Sequence, residues 1–304
     1  MISRYTTRQG LTWIDLESPT KEEAEAIAEE YNLHPLITTE LITSSERAKV
    51  DIYENGIYVI LHFPIRNRTT GRIRETEIDF VLLENTLITT HYELIDPLHD
   101  FAKIFEANSY ISSARFGEHA GFLFFAQMKE LYKHTLFLLE SVEHDIRDIE
   151  HKIFAGYETA MVSHLSHVSR TIIDLKSALR SHTEMIKSFS ASAQKMYGPE
   201  FANYAGMIEG ECLHVTQALE ESRQMVQDLR RTNDSLLSAK TNATMRRLTA
   251  INVVLLPLGL ISWIFAMNSK YLYLDDPKRL IAVLASMAFT CLILIIYFRS
   301  KKWL

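Results

Sequence analysis

The 304-residue sequence lacks most of the features that would support catalysis or nucleic-acid recognition. Its two cysteines, Cys212 and Cys291, are far apart and form neither a disulfide framework nor a zinc site. The formal net charge is −6 and no long basic tract is present, so nucleic acid is not an expected partner. Neither a glycine-rich phosphate loop nor a nucleophile–base arrangement occurs, so we expect no catalytic residues, no covalently bound cofactor and no enzymatic activity.

Charged side chains are also missing from two long runs near the end of the chain. About twenty uncharged residues run from Leu248 to Met267, roughly 30 Å of helix and therefore one hydrocarbon thickness. A second uncharged run of similar length extends from Leu280 to Phe298. Buried helices of a soluble protein rarely stay uncharged on every face for so many turns, so the pattern predicts a transmembrane hairpin.

The basic residues that flank these runs predict the orientation of the hairpin. Arg246 and Arg247 precede the first run, and Arg299, Lys301 and Lys302 follow the second. Because cytoplasmic flanks carry an excess of Lys and Arg, both termini are expected in the cytoplasm of a multi-pass inner (plasma) membrane protein. The external loop would carry charges of both signs, among them Lys270, Asp275 and Asp276.

The remaining sequence divides into two cytosolic regions. Residues 1–115 mix strand and helix patterns, with LTWIDL, YVILHFPI and DFVLLENTLITTHY typical of strands and a turn expected at Asn85. KEEAEAIAEEYNL is typical of a short amphipathic helix capped by Ser18 or Thr20. Residues 116–247 have helical periodicity throughout, and residues 248–304 form the hairpin with its basic tail. The predicted fold class is an α+β cytosolic domain with a long helical stalk and two transmembrane helices per subunit.

The helical region is punctuated at Gly156 and at Gly198-Pro199, which predicts helices over 118–155, 157–197 and 199–247. The last of these meets no stop signal before the membrane. It is expected to run unbroken from about residue 200 to 267, near 100 Å at 1.5 Å per residue. Because a helix of this length cannot bury a face alone, oligomeric packing around a stalk is expected.

One face of this long helix carries the main polar and small residues of the first membrane segment. Steps of three or four residues give Asn242, Met245, Leu248 or Thr249, Asn252, Leu256, Gly259, Trp263 and Ala266. Asn252 in mid-bilayer would be costly facing lipid, so it should face protein or water. With this face inward, several copies would form a path with polar rings at the asparagines and apolar constrictions that gate by dewetting. Packing through Asn252 and Gly259 without a pore is the alternative, and periodicity alone leaves both open.

Several motifs along the whole chain resemble the CorA family of divalent-cation channels. They are Trp13-Ile14-Asp15-Leu16, Pro19-Thr20, Leu33-His34-Pro35-Leu36, Lys49 followed by Tyr53, Leu61-His62-Phe63-Pro64, Thr241-Asn242, Met245, Pro257, Ala266-Met267-Asn268 and the terminal YFRSKKWL. The resemblance implies a homopentameric funnel in the lipid membrane whose first transmembrane helix lines the pore. It also implies that divalent cations (Mg²⁺, with Co²⁺ or Ni²⁺) are cargo carried into the cytoplasm.

The same resemblance assigns expected roles to individual residues. Ala266, Met267 and Asn268 take the position of the family's Gly-Met-Asn selectivity filter, where asparagine oxygens would hold a hydrated cation. This suits Mg²⁺, which sheds its water reluctantly. Met245 and Leu248 match the family's apolar gate. The basic collar at the inner membrane surface would consist of Arg299, Lys301 and Lys302.

The sequence departs from the family pattern at the expected mouth and in the stalk. Ala266 replaces the signature glycine, and Lys270 stands where acidic residues are common, although Asp275 and Asp276 partly compensate. A non-conducting membrane scaffold or regulator is therefore one alternative. A zinc transporter is another, although the Gly-Ile-Pro-Gly stretch of that branch is absent. In the stalk, Met207 occupies the position of a regulatory aspartate, which leaves as candidate regulatory metal ligands the nearby Glu209 and Glu211.

Overall fold

The structure, a computed structural model, describes residues 1–8, 10–45, 47–67, 71–111, 119–266 and 277–301. The chain forms two compact units, Met1–Leu229 and Arg230–Leu304. The boundary between them falls inside one long helix. The finer division predicted at residues 115 and 247 stays a prediction.

The first unit is built on a single mixed sheet. Within the described residues the strands are β1 (Ile2–Thr6), β2 (Thr12–Glu17), β3 (Lys49–Tyr53), β4 (Gly56–Arg66), β5 (Ile73–Leu82) and β6 (Thr86–His91). They lie in the order β1-β2-β6-β5-β4-β3. Only the β2–β6 pair is parallel, with Trp13 opposite Leu87, and the other pairs are antiparallel.

Eight helices are described along with the strands. They are α1 (Lys21–Glu30), α2 (Pro35–Glu40), α3 (Asp96–Ile111), α4 (Ala120–Phe154), α5 (Glu158–Leu179), α6 (His182–Tyr197), α7 (Phe201–Ala266) and α8 (Pro277–Ser300). The predicted α+β domain, long helix and two apolar C-terminal helices are all present. The predicted strands correspond to β2, β4, β5 and β6, with the turn at Asn85 between the last two.

Helices cover both faces of the sheet, which explains why β4 is buried along almost its whole length. On one face, Ile27 of α1 and Ile37 of α2 pack into a core with Tyr58, Ile60 and Val81. The opposite face holds Trp13, whose ring meets the rings of Phe101 and Phe105 in α3. The indole nitrogen of Trp13 donates to the Thr89 hydroxyl at 2.9 Å, so this fully buried polar group is satisfied.

The cap of α1 is Thr20, one of the two residues that the sequence proposed. Its hydroxyl accepts from the backbone of Glu23, and the Glu23 carboxylate accepts from the backbone of Thr20, which completes a capping box. Ser18 instead turns the chain with a φ of 44° and donates its hydroxyl to the carbonyl of Tyr92. The strand-to-helix connection is therefore fixed at both ends.

The prediction of a single helix over residues 157–197 was wrong. The chain breaks at Arg180–Ser181, between α5 and α6. Fully buried His182 explains the break, because its Nε2 donates to the carbonyl of His62 in β4 and its Nδ1 accepts from the Tyr132 hydroxyl, both at 2.8 Å. Burial lowers the pKa of His182 to about 4, consistent with this neutral, doubly bonded ring. Ser181 precedes α6 but makes no side-chain cap hydrogen bond, so the S-x-x-E spacing of Ser181 and Glu184 does not form a capping box.

The prediction of one unbroken helix from about residue 200 to 267 is confirmed by α7, which has 66 residues. Its contour length is about 99 Å at 1.5 Å per residue. Pro257 lies inside the helix, where it removes one backbone donor without ending the helical assignment. Residues 242 to 266 therefore belong to one helix, and the positions of their side chains around its axis can be compared.

Two buried carboxyl groups lie side by side on β5 beneath α2. Glu77 accepts from the Ser44 hydroxyl and the Ser45 backbone, and Asp79 accepts from the Tyr58 hydroxyl at 2.9 Å. Each carboxyl has a second, buried oxygen without a hydrogen-bond partner among the described residues. Burial, and then the charge of Glu77, raise the pKa of Asp79 well above its ordinary value. Asp79 therefore keeps its proton to a higher pH in the folded state than in the unfolded state.

Asp79→Asn should stabilise the first unit increasingly as the pH rises. The unfolded Asp79 loses its proton near its ordinary pKa, whereas the folded one retains it, so the free energy of unfolding of the wild type falls as pH rises toward the folded pKa. Asparagine keeps an acceptor for Tyr58 and supplies a permanent donor. We expect its advantage in apparent Tm, measured on the full chain in detergent, to widen from about pH 5 to about pH 8. Glu75→Gln on the exposed part of β5 is the control, and a pH-independent difference would contradict the assignment.

Candidate functional site

The second unit contains apolar helical surface that no other described residue of the chain covers. The C-terminal part of α7 and nearly all of α8 are long and apolar enough to cross a membrane, and only 6% of each such segment is buried. The side chain of Leu256, for example, is 62% exposed. Exposing this much contiguous apolar surface to water would be unfavourable, so lipid or further copies of the chain must cover it.

One face of α7 packs toward α8. Ala250 of α7 is fully buried, and Phe298 of α8 is 6% exposed. Partly buried residues continue from each of them at helical spacing, namely Val254, Pro257, Leu258 and Ile261 on α7, and Leu294, Cys291, Thr290, Met287 and Val283 on α8. The two rows match when the helices run antiparallel with Ala250 level with Phe298 and Val254 level with Leu294.

A cavity between these helices supports the same pairing. It has a volume of about 480 Å³ and is lined by Ile251, Val254 and Leu255 from α7 and by Ile295 and Arg299 from α8. Residues near position 254 therefore lie beside residues near position 295. Arg299 brings the only charged group of this lining to the end of α8.

The face of α7 predicted to line a path points away from α8. Met245, Leu248 and Leu256 are all more than half exposed, and Asn242 and Asn252 are exposed as well. At 100° per residue, the predicted path residues from Asn242 to Gly259 leave α7 within a sector of about 120° around the helix axis. The centre of this sector lies about 160° around the axis from the row that faces α8. This row, Asn242, Met245, Leu248, Asn252, Leu256 and half-buried Gly259, is called the polar stripe below.

The polar groups on and beside the polar stripe differ in how they are satisfied. The hydroxyl of Thr249 donates to the carbonyl of Met245 at 2.8 Å and is therefore satisfied within its own helix. The side-chain amides of Asn242 and Asn252 have no recorded hydrogen-bond partner in the described part of the chain. Since an unsatisfied amide is costly in hydrocarbon, Asn252 requires water or a polar partner from another copy.

The remaining predicted pathway residues lie at or beyond the end of α7. The helix ends at Ala266, whose backbone alone is described. Met267, Asn268, Lys270, Asp275, Asp276 and Lys302 lie outside the described residues. At the end of α8, Arg299 and Lys301 are exposed, and the basic collar stays a prediction.

The candidate regulatory residues do not converge within one chain. Glu209 forms an ion pair with Lys187 of α6 at 3.8 Å. Glu211 is two residues further along α7, so its side chain points about 200° away from that of Glu209. The two carboxylates cannot chelate one ion from the same subunit. Across the described ranges, the structure forms no cluster of three His, Cys, Asp or Glu side chains suited to a metal ion.

Two features of the structure were missed by sequence reasoning. The α8-facing row of α7 was overlooked, although small Ala250 and the spacing of Val254 and Ile261 mark it. The carboxyl pair of Glu77 and Asp79 was overlooked too, although two acidic residues at alternate positions precede an apolar strand segment. The uncharged run from Leu248 to Met267 and the strand-like stretch that begins at Asp79 were the stronger patterns in these two segments.

Comparison with known proteins gives matches along nearly the whole chain. The family model described as CorA-like Mg²⁺ transporter protein matches residues 8–302. The cobalt/magnesium transport protein CorA of Thermotoga maritima is 23% identical over 295 residues, covering 96% of this chain and 83% of that protein. The protein of the same name from Methanocaldococcus jannaschii is 20% identical, covering 97% of this chain and 92% of that one.

Solved structures give a similar result for the fold. The complete structure of the CorA magnesium transporter from Methanocaldococcus jannaschii superposes with a TM-score of 0.84 at 19% identity, covering 97% of this chain and 92% of that chain. The full-length CmaX protein superposes with a TM-score of 0.74 at 14% identity, covering 96% and 88%. Both likenesses extend over nearly the whole chain, including its apolar C-terminal part.

The antiparallel pairing of α7 and α8 predicts a specific disulfide. In a background with Cys212 and Cys291 replaced by alanine, Val254→Cys combined with Leu294→Cys should oxidise within one chain, because both side chains lie in the packed rows at the same level. Leu256→Cys with Leu294→Cys is the control, since Leu256 lies on the opposite side of α7. Electrophoresis and mass spectrometry after mild oxidation report the bond. Efficient intrachain bonding of the control pair alone would refute the pairing.

Proposed function

Because the chain belongs to the CorA-like Mg²⁺ transporter family, a family of transporters and not of enzymes, we propose that it conducts hydrated divalent cations across a membrane. Mg²⁺ is the primary proposed cargo and Co²⁺ the second, since relatives are named for both ions. The observation that carries the proposal is the polar stripe on the side of α7 opposite α8.

The proposed pore is a ring of α7 helices inside a ring of α8 helices. The outward side of α8 is strongly apolar, with Leu284, Phe289 and Leu292 exposed. Its hydroxyl groups on Ser286 and Thr290 donate to carbonyls of their own helix and need no water. Lipid is therefore the natural environment of α8, and the side-chain amides of Asn242 and Asn252 on α7 face the central axis.

Five copies around one axis are the proposed assembly, in keeping with the family resemblance. A closed cyclic ring repeats the same contact between neighbours, so every subunit presents its polar stripe to the axis. Asn242 and Asn252 then form two polar rings, separated by about 15 Å along the helix. Met245 and Leu248 form apolar rings between them. This alternation gives a path that is wet at the amides and narrow at the apolar rings.

Neutral amide oxygens suit a cation that keeps its water. Mg²⁺ dehydrates reluctantly, so amides that accept hydrogen bonds from its hydration shell hold it without stripping the shell. The proposed filter is Ala266-Met267-Asn268, with Asn268 as the residue that contacts the hydrated ion. The membrane potential supplies the driving force, about 4.6 kcal/mol per 100 mV for a divalent ion.

The proposed orientation puts both termini in the cytoplasm of the cell membrane. Arg246 and Arg247 precede the first apolar segment, and Arg299 and Lys301 follow the second. The positive-inside rule then assigns the filter at the end of α7 to the external side. Cations would enter at Asn268 and leave past Met245 into the cytosol.

Reconstituted protein should admit Mg²⁺, and Asn268→Ala should lower influx to the rate of protein-free vesicles, because the asparagine oxygens are the proposed contact with the hydrated ion. The measurement is the signal of an enclosed Mg²⁺-sensitive dye under an inward gradient and an inside-negative potential. Asn203→Ala, at an exposed position near the start of α7, is the matched control.

Intact oligomers of the unmodified protein that admit no divalent ion would refute conduction. Such a result would favour the alternative of a non-conducting membrane scaffold, which is based on Ala266 and Lys270. In that case, Ala266→Gly would be expected to create influx. Competition among Mg²⁺, Co²⁺, Ni²⁺ and Zn²⁺ in the same assay identifies the cargo. Influx of Zn²⁺ alone would replace magnesium by zinc in the proposal.

The apolar gate makes a second prediction. Leu248→Asn should raise resting influx by roughly threefold or more, because a polar ring wets a constriction that otherwise excludes water. Ile296→Asn is the matched control, since Ile296 is exposed on α8 at about the depth of Asn252 but faces away from α7. Equal effects of the two variants would show that membrane perturbation, and not the gate, controls the influx.

A further inference from the structure

Trp263 is the most exposed large apolar residue described in the second unit. Its side chain is 73% exposed and lies three residues before the end of α7. The chain contains only two other tryptophans, buried Trp13 in the sheet and Trp303 outside the described residues. In the assembled protein, this large aromatic ring near the end of the proposed pore helix must contact lipid, another subunit or water.

Helix geometry puts Trp263 in line with the polar stripe. It lies 18 residues after Met245, which is five whole turns at 3.6 residues per turn, so both side chains leave α7 in about the same direction. That direction is about 160° from the α8-facing row of Ala250 and Val254. The indole therefore cannot lie against α8 of its own subunit. Lipid, a neighbouring copy of the chain and the central path are the environments left for it.

The residue one turn below Trp263 leaves space beside the helix. Gly259 lies four residues earlier, in the same row, and a Cβ built on it would meet no atom within 4 Å. Helical side chains lean toward the N-terminal turn, so the indole reaches over the level of Gly259 and Leu260. The missing side chain at Gly259 therefore leaves room for the indole beside the helix.

We propose that Trp263 faces the central path and forms an aromatic ring that a hydrated cation must pass between the filter and the polar rings. This inference rests on the proposed function and deepens it. At 1.5 Å per residue, the ring lies about 16 Å from Asn252 along α7, toward the end of the helix at Ala266. It is the last described side chain before the mouth on this face of α7.

The chemistry of indole fits an intact hydration shell. The face of the ring carries negative charge density, and the hydrogens of water bound to a cation point outward, so shell waters donate to the ring faces. The cation is attracted without losing its ligands, which matches the reluctance of Mg²⁺ to dehydrate. The bulk of the ring also limits the size of what passes. Trp263 is thus a specificity-determining residue distinct from Asn268.

Fluorescence quenching tests where Trp263 lies without requiring conduction. In the full-length oligomer with Trp303→Phe, the signal of Trp263 is the part that is lost when Trp263→Phe is added. Acrylamide in the water and brominated lipid in the bilayer are the two quenchers. Ala285→Trp in the protein lacking both Trp263 and Trp303 is the lipid-facing control, because Ala285 is exposed on α8, at the same depth as Trp263 by the antiparallel pairing.

We expect acrylamide to quench Trp263 and brominated lipid to leave it nearly unchanged, while Ala285→Trp shows the reverse. The ratio of the two quenching constants should differ between the sites by roughly fivefold or more, because water and hydrocarbon are nearly exclusive environments. Strong quenching of Trp263 by brominated lipid, comparable to that of Ala285→Trp, would assign it to the lipid interface and overturn the proposal.

Ion flux tests the role in selection. Trp263→Leu, which removes the π face and narrows the side chain, should raise total divalent influx by roughly threefold and reduce discrimination between Mg²⁺ and larger hydrated or organic cations. Trp263→Phe should retain most of the discrimination, because an aromatic face remains. Oligomer size by light scattering excludes a folding defect. Unchanged flux and selectivity of Trp263→Leu in a conducting protein would overturn the role in selection.

The two experiments separate this inference from the proposed function. If the unmodified protein does not conduct, the conduction proposal fails and selection fails with it, while quenching still decides whether Trp263 faces the axis. If the unmodified protein conducts and Trp263 is quenched by brominated lipid, only the inference fails.

Discussion

The organisation of the second unit follows from one constraint, that hydrocarbon accepts apolar side chains and rejects unsatisfied amides. Helix α8 meets this constraint alone, because its exposed residues from Ile281 to Ile296 are apolar except Ser286, and its hydroxyls bond to its own backbone. Helix α7 does not, because Asn252 lies in the same apolar segment without a recorded partner in the described part of the chain. The side of α7 opposite α8 therefore needs water or other subunits. Packing of Ala250 toward α8 decides which side that is.

In the first unit, several buried polar groups are instead satisfied by hydrogen bonds to other groups of the same chain. His182 joins α6 to β4 through the carbonyl of His62, and Trp13 joins β2 to Thr89 of β6. This pairing is incomplete, since buried side-chain atoms without a partner among the described residues also occur on Glu40, Thr90, Gln127 and His134. Asp79 and Glu77 are neighbouring carboxyl groups, and each keeps such an unpartnered oxygen. A retained proton on Asp79 removes one of the two possible charges. The pair of carboxyl groups can therefore be buried in a sheet that has helices on both faces. Buried polar groups in this unit thus specify how the elements join.

The sequence predicted the elements with strong, simple patterns and missed those that depend on tertiary contacts. The uncharged runs predicted both apolar helices, and the lack of a stop signal predicted α7 within a residue at each end. The break between α5 and α6 was missed because Arg180 and Ser181 carry neither proline nor glycine, and a buried contact of His182 fixes it. The polar stripe follows from helix periodicity alone. Its orientation relative to α8 does not, because that depends on which side of α7 fits against Phe298.

The absence of charge along the polar stripe is informative about how ions would move. A ring of carboxylates would attract divalent cations strongly, but close contact would favour partial dehydration and slow release. Amide rings with apolar rings between them bind weakly at each level, so an ion with its shell can step from one level to the next. The potential then biases the steps without a fixed charge to trap the ion. The proposed aromatic ring at Trp263 would act in the same way, because its π faces attract the water molecules of the hydration shell without replacing them as ligands of the cation. The chemistry of the whole face is therefore consistent with recognition of the hydrated ion.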